Sequence, residues 1–206
     1  MRHPSARLLV SGLLLAAACS AGESAPGEPI GTFAFEATLD ATDLPGRCAF
    51  EGAPPRISFD GSLSRDPATG KAWLQIDGTL REGDLACAAF TLDLPKLPDG
   101  STRLVPRRLP ACTCDLGFSE RLEGFLVPSL GPACEPPGDE TPGAATCPRL
   151  DENGELAWDT CGGACGTLTE SVRPDAPCKC VVDGVETQAP ENCSFVYRFE
   201  ARRIGG

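Results

Sequence analysis

The chain has 206 residues and a formal net charge of -11, from 18 Lys and Arg against 29 Asp and Glu. That acidity excludes a nucleic-acid partner, because phosphate binding needs a basic face, and it mainly reports solubility; Arg103, Arg107 and Arg108 read as solvated strand or loop positions. Gly and Pro, with 23 and 20 residues, fall short of a low-complexity composition and suit a turn-rich β protein.

The first element in chain order is an export signal. Arg2 and Arg7 lead into an apolar run from Leu8 to Ala18, too short to span a bilayer as a helix, and small residues stand directly before Cys19. Ala16-Ala17-Ala18 also satisfies the small-x-small pattern of an ordinary secretory signal, and both readings cut before Cys19. Removing residues 1–18 takes away the only His, His3, and two arginines, so Lys and Arg fall from 18 to 16 and the net charge moves to -13. The remaining chain is long enough to bury about 70% of its unfolded surface as one domain.

The run ending Ala16-Ala17-Ala18-Cys19 resembles the lipobox of bacterial lipoproteins. The resemblance implies that Cys19 takes a diacylglycerol on its sulfur, becomes the new N-terminus and, with palmitate-type acylation, ties the protein to a membrane. In those families an Asp directly after the cysteine signals retention at the inner membrane of diderm bacteria. Ser20 stands there instead, so the resemblance points to the outer membrane. Residues 19–30 then form a tether, and the ten residues Ser20 to Pro29 have an r.m.s. reach of roughly 17 to 19 Å.

The β domain is expected over 31–204, as an antiparallel barrel or sandwich. Phe33, Phe35, Ala37 and Leu39 alternate with polar residues, as a half-buried strand requires. The same period recurs at Ile57, Phe59, Gly61 and Leu63, at Leu74 and Ile76, and from Leu85 to Leu94. Asp66-Pro67-Ala68-Thr69-Gly70 predicts a hairpin over 56–80, and Arg81-Glu82-Gly83-Asp84 a second tight reversal. Asn153-Gly154 and Asp183-Gly184 are further hairpin signals. Phe195, Tyr197, Phe199 and Ala201 mirror the first strand, and pairing the first strand with the last would remove two exposed edges. The core is therefore drawn from about 31–110 and 193–204, with 111–192 as a cysteine-rich insertion.

Eight cysteines fall in that insertion: Cys112, Cys114, Cys134, Cys147, Cys161, Cys165, Cys178 and Cys180. With Cys48, Cys87 and Cys193 they are disulfide candidates in an oxidising compartment, each bridge worth typically 2 to 4 kcal/mol. Connectivity is open; Cys134 and Cys147 bracket an almost apolar-free excursion, and Cys112, Cys114, Cys161 and Cys165 compete with them. A lipidated Cys19 leaves eleven thiols and one odd cysteine. An alternative reading takes the CxC units Cys112-Thr113-Cys114 and Cys178-Lys179-Cys180, with Cys161 and Cys165, as thiolates for Cu(I) or Zn(II). Against it, the spacing is not CxxC, no histidine supplements the set and the compartment oxidises thiols, so no metal or cofactor is expected.

Asp151-Glu152-Asn153-Gly154-Glu155 lacks the glycine that a calcium loop needs at its sixth position, where Leu156 stands. Trp73 and Trp158 read mainly as packing, with stacking on a sugar as the functional option. Without histidine, Ser-His and Cys-His catalysis is excluded, and only a carboxylate pair in a cleft would remain for hydrolysis; nothing in the sequence places two together. The reading is an envelope-anchored, non-catalytic binding or structural β module. A protein or a glycan remains as the ligand class.

Overall fold

The computed structural model describes residues 25–41, 46–48, 53–130, 147–173, 178–189 and 193–206. The signal, Cys19, Cys134 and the excursion after it lie outside these residues. The strands are β1 (Glu28–Leu39), β2 (Arg56–Arg65), β3 (Lys71–Ile76), β4 (Thr79–Ala86), β5 (Ala89–Asp93), β6 (Val105–Arg108) and β7 (Asp115–Val127). After them come the short β8 (Arg149–Leu150) and β9 (Leu156–Ala157), then β10 (Gly163–Arg173), β11 (Lys179–Val182), β12 (Val185–Gln188) and β13 (Ser194–Gly205). The helical content among the described residues is one 3-10 turn, Trp158–Thr160.

Eight strands close an antiparallel barrel in the order β1-β2-β3-β4-β5-β7-β10-β13 and back to β1. The expected first-to-last pairing is present, with Phe35 opposite Ala201 and Ala37 opposite Phe199. Closure leaves the barrel without the free edges that two-sided sheets expose. β1 begins at Glu28, inside the span read as tether, and Ser64 donates to the Pro26 carbonyl at 2.7 Å.

The core drawn from 31–110 and 193–204 is corrected in one respect: the cysteine-rich stretch supplies two barrel walls, β7 and β10. The reason is legible in their burial. On β7, Leu116, Phe118, Glu120, Leu122 and Leu126 alternate inward, and on β10 Ala164, Leu168, Glu170 and Val172 do the same. A buried glutamate interrupts each pattern, so neither reads as apolar alternation. Gly124 and Gly166 face each other across the same pair and extend the disguise. A Cβ on Gly124 would lie 2.9 Å from both the Phe90 and Phe199 rings, which fill that level of the interior with centroids 6.3 Å apart.

The hairpin over 56–80 is present as β2 and β3. The reversal placed at Arg81-Glu82-Gly83-Asp84 is not: those residues lie within β4, and the chain turns at Asp77-Gly78 and again at Cys87-Ala88. Asp77 and Gly78 have φ of 48° and 74°, the paired left-handed values that a tight hairpin with right-handed twist demands. Asp183-Gly184 joins β11 to β12 in the same way, with φ of 50° and 76°. At Asn153-Gly154 the Asp151 Oδ1 accepts from the Asn153 and Glu155 amides, both at 2.8 Å, so that carboxylate is spent on the turn between β8 and β9.

The outward positions carry charge: Glu36, Asp60, Arg121, Glu123, Arg198, Glu200 and Arg202 are all exposed. Trp73 is half-buried on the outer side, opposite the buried Leu74 and Ile76, as the period predicts.

Candidate binding sites in the mouth and on the wall of the barrel

β6 pairs with the start of β7, beyond the stretch of β7 that β5 covers, so the wall is taller on the β6, β7, β10 and β13 side. Above the main core this taller side holds a second apolar layer of Leu116, Phe118, Val172 and Phe195, packed with Leu109, Ala189 and buried cysteines. Three disulfides gather at this end. Cys48–Cys193 joins the β1–β2 connection to the entry of β13. Cys112–Cys180 and Cys114–Cys178 form two rungs between antiparallel CxC segments, with the Thr113 amide donating to the Lys179 carbonyl at 2.9 Å between them. Cys147–Cys161 lies at the opposite end, which overturns the Cys134 to Cys147 option.

Every described cysteine except Cys87 is disulfide-bonded; the partner of Cys165 lies outside the described residues. Cys87, counted among the disulfide candidates, is an exposed free thiol at the β4–β5 turn with φ of 52°. Bridging there would need a second cysteine near an isolated hairpin tip. The six cysteines of the metal alternative are all bridged, so that chemistry would require reduction first.

Between the two apolar layers lies a buried ion cluster. Arg81 from β4 donates through Nε to Glu120 Oε2 at 2.9 Å, and its Nη2 meets the same oxygen. Arg107 from β6 donates through Nη2 to Glu120 and through Nη1 to Glu170. Its guanidinium lies 5.5 Å from the Phe118 ring centroid. Glu120 and Glu170 stand directly opposite each other on β7 and β10. The sequence placed Arg107 as a solvated position, and this is corrected: β6 tucks it inward to neutralise two carboxylates. Burial pushes the Glu170 carboxyl above its ordinary value, with Arg107 opposing. Burial also works against the charge on Arg107, but Glu170 and Glu120 outweigh it and hold the guanidinium above its usual value.

Tyr197 completes the cluster from β13. It is fully buried, and its hydroxyl has no hydrogen-bond partner among the described residues. Burial, and next the charge of Glu170, push the phenol well above its ordinary value, with Arg107 opposing. Over the cluster sits a cavity of about 310 Å³, rimmed by Ile57, Phe59, Ile76 and Thr79. A carboxylate pair in a cavity is the arrangement hydrolysis would need, and the sequence did not show it. Yet each carboxylate is engaged by an arginine, Glu120 through both oxygens by Arg81 and Arg107 and Glu170 by Arg107, so neither stands free beside the cavity as a nucleophile or base.

The larger opening is on the outer wall. A groove of about 840 Å³ runs from β3 to β10, and the segment between β5 and β6 contributes Lys96 and Thr102 to its lining. Trp73, Glu82, Asp93, Arg121 and Thr169 form one row across five strands, each opposite the next. Trp158 is packing instead: Arg65 lies 4.5 Å above its ring, and its carbonyl accepts from Arg203 at 2.7 Å. No protein family, curated protein or solved structure matches the chain significantly.

Proposed function

We propose that this protein is an exported lipoprotein, anchored through Cys19 at the cell envelope and at the outer membrane in a diderm cell, whose β-barrel is a non-catalytic binding module. The observation that carries the non-catalytic reading is the state of Glu120 and Glu170. In a mature chain without histidine they are the paired carboxylates of the interior, and Arg81 and Arg107 hold both. Recognition then falls to the outer wall, which offers the wider opening.

The anchor rests on the signal and on parity. With Cys87 free and Cys165 bridged outside the described residues, a lipid on Cys19 leaves Cys134 as the partner of Cys165 and one odd thiol in the mature protein. The charged outer wall also supports attachment by a lipid, because a lipid-facing barrel needs an apolar band there. The test is fractionation of cells carrying the intact gene or Cys19→Ser. The wild type is expected in the membrane fraction with an acylated N-terminal peptide, and the variant in the soluble fraction. An unmodified Cys19 after cleavage, or a variant that stays in the membrane, would sink the reading. The metal-handling alternative is decided by thiols counted under denaturing, non-reducing conditions: one is expected, and four or more would favour it.

A further inference from the structure

The groove on the outer wall differs from an ordinary solvated face in how its charges are arranged. Lys71 pairs with Asp84 at 3.3 Å, and Arg121 pairs with Asp93 at 3.7 Å and with Glu123 at 3.0 Å. Lys96 and Glu82 also line the opening, so charges of both signs balance there, and a strongly charged ligand would have to disturb the pairs without meeting an excess of either sign. A ligand with hydroxyl groups meets no such cost. Hydroxyls donate to the carboxylates and accept from the guanidinium and ammonium groups while the pairs stay intact. Thr102, Ser119 and Thr169 add neutral hydroxyls along the same opening.

Trp73 supplies the other half of the chemistry. It lies at the β3 end of the row, half-buried on the outer side, and a Cβ at Gly27 would come within 3.0 Å of its ring, so the chain ahead of β1 braces one edge of the indole. No described residue accepts a hydrogen bond from its Nε1. A braced, partly exposed indole presents an apolar face with little rotamer entropy left to lose, and its N–H remains available as a donor. From β3 to β10 the row crosses four strand spacings, about 19 Å along the sheet. That is room for several rings in line.

We propose that this groove binds a neutral oligosaccharide, with one pyranose stacked on Trp73 and its neighbours hydrogen-bonded along Glu82, Asp93, Arg121 and Thr169. A pyranose has an apolar face of C–H groups and a rim of hydroxyls, which matches an aromatic ring set beside balanced charges of both signs. The inference deepens the binding-module reading and rests on it, but it is tested separately from the anchor.

The experiment is calorimetric titration of the full chain with cellohexaose, chitohexaose and maltohexaose, with Trp73→Ala and Thr169→Arg beside the wild type. At least one of the three sugars is expected to bind the wild type. Trp73→Ala, which removes the stacking face, and Thr169→Arg, which fills the far end of the groove, should each weaken that binding tenfold or more at an unchanged melting midpoint. If Trp73→Ala fails to fold, Thr169→Arg decides alone, and Trp158→Phe leaves Trp73 as the sole tryptophan so that stacking reads out as a fluorescence change. No binding of any of the three sugars, or binding undiminished in the folded variants, overturns the proposal. Neither result touches the anchor, which Cys19→Ser tests by fractionation.

Discussion

Tyr197 is the only tyrosine in the chain, and that makes its environment directly measurable. Burial and the charge of Glu170 raise its folded pKa above the unfolded value, so folding favours the protonated phenol. The associated stability is fully present below the unfolded pKa, about 10, and is lost as pH rises above it. We expect no phenolate absorbance from the native protein at pH 10 to 10.5, and its ordinary appearance once denaturant is added. A normal native titration curve would place Tyr197 in contact with solvent. The ion cluster yields a second expectation. Glu120→Ala strands the buried Arg81, while Arg107 keeps Glu170, and should cost about 3 to 5 kcal/mol, read from denaturant midpoints. Glu170→Gln should cost clearly less, because Arg107 keeps Glu120 and a neutral amide lifts the burial penalty that raises the Glu170 pKa. Equal losses would mean that the two carboxylates are not ranked by the arginines they serve. The inward place of Tyr197 was legible from alternation. The inward places of Glu120 and Glu170 were not, because a period-two reading assigns charged residues to the solvent side unless their partners are known, and those partners lie 13 to 63 residues away in sequence.

Among the elements, two hairpins stand outside the barrel sheet, β8–β9 and β11–β12, and the second is fixed by the two CxC rungs. Two-stranded hairpins are marginal alone, and most residues from 179 to 188 are exposed. The rungs are thermodynamically redundant. Cys112–Cys180 spans 68 residues and Cys114–Cys178 spans 64, so once one is closed the other encloses only a few residues more. Loop-closure entropy then assigns about 4 kcal/mol to removing both, and little to removing either one. A double-mutant cycle with Cys112→Ser/Cys180→Ser and Cys114→Ser/Cys178→Ser should therefore be strongly non-additive. Additive losses would mean that each rung acts through local packing. The Asp-Gly signal of this hairpin was plain in the sequence. Its docking was not, because connectivity among so many cysteines cannot be read from spacing. The misplaced reversal at Arg81 to Asp84 has a different cause: Gly83 and the charged residues around it suggest a turn, but Arg81 is spent inside the barrel and Gly83 admits the close approach of Thr91.

At the scale of the molecule, the cysteine-rich stretch and the apolar core are one structure, and this changes what reduction should do. Were residues 111–192 an insertion hung on a finished sheet, breaking the disulfides would loosen that stretch and spare the rest. Instead β7 and β10 sit between β5 and β13 and close the barrel, so the wall cannot lose them locally. Cys48–Cys193 spans 145 residues and ties the β1–β2 connection to the entry of β13. By loop-closure entropy it is the most stabilising bridge described, at about 5 kcal/mol, against about 3 kcal/mol for Cys147–Cys161, which spans 14. Its removal acts on the unfolded chain, and the whole barrel shares the loss. We therefore expect Cys48→Ser/Cys193→Ser to raise hydrogen exchange by a similar factor in β1, β7, β10 and β13. Removal of both CxC rungs should instead accelerate 178–189 far more than any barrel strand. If the Cys48→Ser/Cys193→Ser protein showed acceleration confined to residues near 46–48 and 193, the barrel would not unfold as a unit, and β7 and β10 would have to be held by something other than closure of the sheet.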